Sequence, residues 1–154
     1  MARETRLDHS PLHLLHRVRQ CAGDLFQTEM AGIDLTARQY VVLVAASQRD
    51  GLSQQEIIDA TGIDRSTVSQ VVQTLLRKGM IKRRRTRDDA RTYAITLTPV
   101  GRDTLKVTEP LVRRIDEALI SALPAAHAST FLDSLRTIVG VLDASGKGAT
   151  GAEA

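Results

Sequence analysis

The sequence predicts a mainly α-helical fold with one small β-hairpin. Three observations predict it. Hydrophobic residues make up 42% of the 154 residues but aromatic residues only 3%, so the core is aliphatic and Ala-rich, which favours helices over a sandwich or barrel. Between Leu52 and Gly101 the chain reads as helix, tight turn, helix, and then two strand-like runs joined by a charged tip. On both sides of that stretch apolar residues recur at spacings of three and four, the period of amphipathic helices. The layout is that of a winged helix-turn-helix with further helices at each end of the chain.

The elements follow in order. Ser10-Pro11 reads as an N-cap with Pro at the first helical position. Leu15, Val18, Ala22 and Leu25 then give one apolar stripe, on a helix ending near Gly32. Thr36 caps the next helix. Its Val41-Val42-Leu43-Val44-Ala45 run is apolar nearly all round, which predicts burial between other elements. Ser53-Gln54-Gln55-Glu56 has capping-box spacing and starts a short helix with Ile57, Ile58 and Ala60 inward. Thr61-Gly62-Ile63 is the turn, where Gly62 can take a positive φ. Asp64 caps a helix whose inner face is Val68, Val71, Val72, Leu75 and Leu76, closed by Lys78-Gly79. Gly32-Ile33-Asp34 repeats as Gly62-Ile63-Asp64, the same helix-entry chemistry used twice. Tyr93, Ile95 and Leu97 alternate with Thr92, Ala94, Thr96 and Thr98 as in a strand. Thr98-Pro99 starts a long helix to about Ala122. Pro110 inside it predicts a kink or break. Pro124 begins a last helix with Phe131, Leu135, Ile138 and Leu142 on one side. The Gly- and Ala-rich end from Ser145 is expected to fray.

The central unit has the chemistry of a duplex reader. The first two turns of a recognition helix reach base edges in the major groove. Here those turns offer Arg65, Ser66, Thr67, Ser69, Gln70 and Gln73, opposite the apolar face. Arg pairs with guanine, Gln with adenine, and hydroxyls with bases or phosphate. Ser53 and Gln54 at the start of the preceding helix belong to the same surface. Lys82 to Arg91 carries six cations, among them Arg83, Arg85, Arg87 and Arg91, against Asp88 and Asp89. A basic hairpin of this kind suits a narrow minor groove, where negative potential is concentrated. Double-stranded DNA is thus the expected partner.

Bulk properties set the bounds. The formal charge is +3 and the pI about 9.4, in keeping with an anionic partner. A single cysteine excludes an intramolecular disulfide and a cysteine-based zinc site. No apolar run spans a membrane and no secretory segment leads the chain, so a cytoplasmic location without membrane association is expected. There is no Gly-rich phosphate loop, nucleophile elbow or paired His-acid motif, so no enzymatic activity and no cofactor are expected.

At Asp89-Ala90-Arg91 followed by Leu97-Thr98-Pro99-Val100-Gly101 the chain resembles the MarR (multiple antibiotic resistance) regulators of bacteria and archaea. Asp64-Arg65-Ser66-Thr67-Val68 through Leu75 to Gly79-Met80-Ile81 is similar to that family's recognition helix and its exit. The resemblance covers about residues 10 to 143. It implies that Arg91 enters the minor groove and that Asp89 helps hold it. Ala90 stands where family members usually carry a second Arg, a departure in the wing. The resemblance also implies that the first and last two helices pair two subunits. The two apolar stripes suit such packing on their own account. The expected organisation is a helical dimerisation region over 10–32 and 102–143, a DNA-binding lobe over 33–101 and a flexible tail over 144–154. A homodimer would read a pseudo-palindrome with half-sites ~34 Å apart, most simply as a repressor.

Family members are commonly released from DNA by a small ligand or by oxidation, and two groups of residues bear on this. His13, His16, Arg17, Arg38 and Tyr40 are polar groups amid apolar ones, suited to an aromatic acid or its acyl thioester in the crevice beside the DNA-binding lobe. Cys21 shares a helix side with His13 and Arg17, and a nearby guanidinium favours the reactive thiolate. A thiol-based redox regulator is therefore an alternative, as is a winged-helix protein-interaction module. His9, His13 and His16 have spacing compatible with zinc, but carboxylate and cysteine partners are lacking and no metal is expected.

Overall fold

Helix α1 (Pro11–Glu29) starts as Ser10-Pro11 predicts, with the Ser10 hydroxyl accepting from the His13 amide at 3.4 Å. The computed structural model describes residues 6–85 and 93–149. None of α1 is fully buried. Leu15 and Val18 are exposed, while Ala22 and Leu25 are half-buried. Helix α2 (Ala37–Gln48) has a complete capping box between Thr36 and Gln39. Val42, Leu43, Ala45 and Ala46 are buried. Val41 is not: it is 39% exposed, because the neighbouring elements cover only part of the helix circumference.

Helix α3 (Gln54–Thr61) opens on the Ser53–Glu56 capping box and ends at Gly62, whose φ of 67° makes the left-handed turn. Ile57 is buried and Ile58 half-buried. Ala60 is exposed, against expectation, since an eight-residue helix turns one narrow face to the core. Helix α4 (Arg65–Arg77) is capped by Asp64 and buries Val68, Val71, Val72 and Leu75, with Leu76 half-buried. The repeated Gly-Ile-Asp is a partial match. Gly32 and Gly62 both have positive φ. Only Asp64 caps a helix, whereas Asp34 pairs with Lys78 at 2.9 Å.

Strands β1 (Ile81–Arg85) and β2 (Tyr93–Leu97) form an antiparallel pair in which Ile81 faces Leu97 and Arg85 faces Tyr93. The predicted in-out alternation of β2 does not hold. Ala94, Ile95, Thr96 and Leu97 are all buried. The reason is position: β1 covers one edge, Leu52 bridges Ile95 on the other, and α2 and α3 pack against the strand. Lys78 joins the halves of this lobe. Its ammonium donates to the Asp34 carbonyl at 2.7 Å and to the Gln39 side chain at 3.1 Å.

Helix α5 (Pro99–Ser121) runs unbroken through Pro110, which corrects the expected break. Lys106, whose carbonyl loses its donor there, and Pro110 itself are exposed, so water can serve that carbonyl. The chain divides into two compact units, Met1–Ile115 and Asp116–Ala154. In the second, a 3₁₀ turn (Ala125–His127) follows Pro124, and α6 (Ala128–Ala149) begins only after it. The helical backbone reaches Ala149, past the expected start of the tail. Ile138, Val139 and Leu142 on α6 are exposed.

Candidate nucleic-acid interface

The buried residues of α4 leave an opposite face at spacings of four, three and four: Ser66, Gln70, Gln73 and Arg77, all exposed. Arg65 is also exposed, whereas Thr67 and Ser69 are half-buried on the flanks. Arg77 was not among the expected site residues, although its spacing from Gln73 made it legible.

The first turn is tightly bonded. Asp64 accepts from the Thr67 amide at 2.9 Å, the Thr67 hydroxyl at 2.7 Å and the Ser66 hydroxyl at 3.1 Å. The Thr67 bonds, foremost, hold its carboxyl below the usual carboxylate range. Both hydroxyl protons are thus committed to the cap. In this arrangement Ser66 and Thr67 offer only lone pairs, which suit an amino group on adenine or cytosine and not a phosphate oxygen. The sequence left both options open.

Glu56 plays the matching part on α3. It accepts from the Ser53 amide at 2.8 Å and is bonded to Arg49, and its carboxyl too lies below the usual range, chiefly through the Ser53 bond. Arg65 reaches across the turn to the Gln55 side chain, which in turn donates to Asp59 at 3.1 Å. This chain orients Arg65 from α3, a tie invisible in the separate helix patterns.

The strand register sorts the basic residues of β1. Arg83 and Arg85 stand opposite Ile95 and Tyr93 on one face, while Lys82 and Arg84 stand opposite Thr96 and Ala94 on the other. The Arg83 and Arg85 guanidinium carbons lie 5.9 and 6.0 Å from the Tyr93 ring centre, a cation–π arrangement that restrains both. Ser53, Gln54, Gln55, Arg65, Arg83 and Tyr93 line one open cleft of about 430 Å³. Four expected residues from three separate segments therefore meet, with Gln55 and Tyr93 added. Both had been read only as parts of a cap and a strand. Arg87, Asp89 and Arg91 lie outside the described residues.

The expected effector group is not gathered in the same way. His13 and Tyr40 are half-buried, and His16, Arg17 and Arg38 are exposed. A cavity of about 310 Å³ between the end of α1 and the start of α2 is lined instead by residues including Phe26, Gln27, Met30, Leu35 and Thr36. The Phe26 ring links it to the predicted group, its centre 6.3 Å from that of Tyr40. Cys21 is exposed. No cluster of metal-ligating side chains occurs among the described residues, and no helix among them is long and apolar enough to cross a membrane.

Known proteins are similar to this chain in sequence and in fold. A MarR family model matches residues 33–92. The putative transcriptional regulatory protein for the hcr operon of Thauera aromatica is 32% identical over 120 residues, 78% of this chain and 70% of that protein. Among solved structures, BpsR of Bordetella bronchiseptica, whose DNA binding is regulated by 6-hydroxynicotinic acid, has a TM-score of 0.83 at 28% identity, covering 89% of this chain and 98% of that one. The transcriptional repressor CouR, solved on a 23-mer DNA duplex, has a TM-score of 0.82 at 27% identity, covering 90% and 99%. With its helix-turn-helix, its basic hairpin and these relatives, the chain belongs to the MarR family of transcriptional regulators.

Proposed function

We propose that the protein is a homodimeric repressor that binds a pseudo-palindromic operator and leaves it when a small aromatic acid, or an acyl thioester of one, binds. The observation that carries the DNA reading is the cleft joining Ser53 and Gln54, Arg65, and Arg83 with Tyr93. In this reading Gln70 and Gln73 read bases, and Ser66 and Thr67 accept from base amino groups. Ser69 and Arg65 flank them. Ser53, Gln54 and Arg77 hold phosphates, and Arg83, Arg85, Arg87 and Arg91 follow the adjacent minor groove with Asp89 as a brace. Dimerisation is supported by the exposed apolar residues of α1 and, separately, of α6. Such faces are normally covered in solution.

The effector reading rests on the cavity beside Phe26, whose lining of Phe26, Met30 and Leu35 suits an aromatic ring. Regulation of BpsR by an aromatic acid supports that class. His13, His16, Arg17, Arg38 and Tyr40 remain the candidates for holding its carboxylate.

The test is selection of bound duplexes from a random pool, with and without a panel of aromatic acids. A two-fold symmetric consensus, lost from the bound fraction with at least one acid, is expected. Affinity for that consensus should fall linearly on a log–log plot against salt, with a slope of about −0.9 per phosphate contact. Enrichment of no sequence would overturn the operator reading, and salt-independent binding would favour a protein partner.

A further inference from the structure

The rear of the hairpin carries a second site. Behind β1, on the side away from Arg83 and Arg85, lies a cavity of about 340 Å³. Its charged lining is Lys82 and Arg84 from β1, Arg102 from the first turn of α5, and Asp50 from the loop after α2. Three cations therefore face one carboxylate, and that carboxylate is 4.0 Å from Arg84 with both side chains largely exposed. Arg102 is aimed by its own bond, donating from Nη1 to the Leu97 carbonyl at 3.1 Å. At the floor is Thr96, only 3% exposed, which shares the strand face of Lys82. Its hydroxyl has no hydrogen-bond partner.

A buried hydroxyl without a partner is unfavourable, by an amount comparable to a lost hydrogen bond. Ala94 shows that this strand face accepts an apolar residue, so fold alone does not require oxygen there. A threonine hydroxyl turns about a single bond, so its proton can be directed toward the cavity. An occupant that accepts this proton and carries negative charge satisfies both the hydroxyl and the surplus of cations. We propose that this rear cleft binds a small dianion, a phosphate or dicarboxylate group, at a site separate from both the duplex-facing surface and the cavity beside Phe26.

The experiment is thermal unfolding of the full chain in phosphate, malonate and chloride at equal ionic strength and pH. Wild-type protein should show a saturable rise over chloride on the order of 2–4 °C in phosphate or malonate. Thr96→Val should match or exceed wild type in chloride yet lose that rise, and Thr96→Ser should retain it. Arg102→Ala should reduce the rise, and Asp50→Asn, which removes the opposing charge, should saturate at several-fold lower anion concentration. Arg83→Ala, on the other strand face, should leave the rise intact. The proposal is overturned if wild type melts alike in all three salts, or if the rise survives both Thr96→Val and Arg102→Ala. It is also overturned if Arg83→Ala alone abolishes the rise, since the anion then sits on the duplex-facing surface. None of these outcomes depends on operator binding.

Discussion

Asp64 shows how much one residue decides. Its carboxylate caps α4 and takes both hydroxyl protons of Ser66 and Thr67, which changes what those residues can recognise. The outward face then divides by position. Gln70 sits in the second turn and Arg77 at the helix end, so in the proposed reading Gln70 meets base edges and Arg77 the phosphate backbone. Gln70→Ala should relax base preference within a half-site by about 1–3 kcal/mol. Arg77→Ala should weaken specific and random DNA alike and make the salt slope shallower by about one phosphate contact. Equal losses on both duplexes for Gln70→Ala would remove its base-reading role. Gly101 is a different kind of constraint. A β-carbon there would clash with the Met80 carbonyl oxygen, a backbone atom that cannot move aside cheaply. Gly101→Ala should destabilise the fold by about 1–3 kcal/mol in urea unfolding. A neutral result would mean that α5 can shift its first turn.

At the scale of the element, the helix starts were legible because capping chemistry is local. Ser10, Thr36, Ser53 and Asp64 each accept from an amide three residues on, as their types and spacing predicted. Two of the caps involve carboxylates with depressed pKa values, Asp64 directly and Glu56 through its capping box. A depressed folded-state pKa contributes stability that is present above the unfolded-state value and lost as pH falls through the folded one. Stability should therefore drop as pH falls through and below the ordinary carboxylate range. Asn also caps helices, so Asp64→Asn should change the neutral-pH urea midpoint little while flattening the acid decline. An unchanged decline in that variant would show that its proton uptake is not linked to folding. Element interiors were less legible. Pro110 does not break α5: it and Lys106, whose carbonyl loses its donor, lie on the exposed side of the helix. The helical backbone of α6 extends to Ala149, past Ser145, where the Gly- and Ala-rich composition gave no helix signal.

For the whole molecule, the single chain leaves apolar side chains of α1 open to solvent. Leu15 and Val18 on α1 are 44% and 47% exposed. If a second subunit covers that face, Val18→Asp should yield monomer in sedimentation and lower operator affinity by far more than loss of one contact. A variant that stays dimeric at wild-type strength would place the interface elsewhere. Within the DNA-binding lobe, the decisive long-range tie is Lys78. It bonds to Asp34 and Gln39, positions 44 and 39 residues away in the chain. Its place near a helix end suits the negative end of the helix dipole, and the tie to α2 exists only because the fold brings the segments together.

The sequence by itself determined the family-level fold, the order of elements, the caps, and the polar face of α4. All of these follow from interactions spanning four residues or fewer, which spacing encodes directly. Only the tertiary structure decided which side of the hairpin each arginine takes, that Tyr93 restrains two of them, and that Phe26, Met30 and Leu35 line a cavity between α1 and α2. The same is true of the rear cleft, where Thr96 and Arg102 meet Lys82. Each of these depends on strand register and on packing between distant segments, and a one-residue shift of register would exchange the two faces of β1.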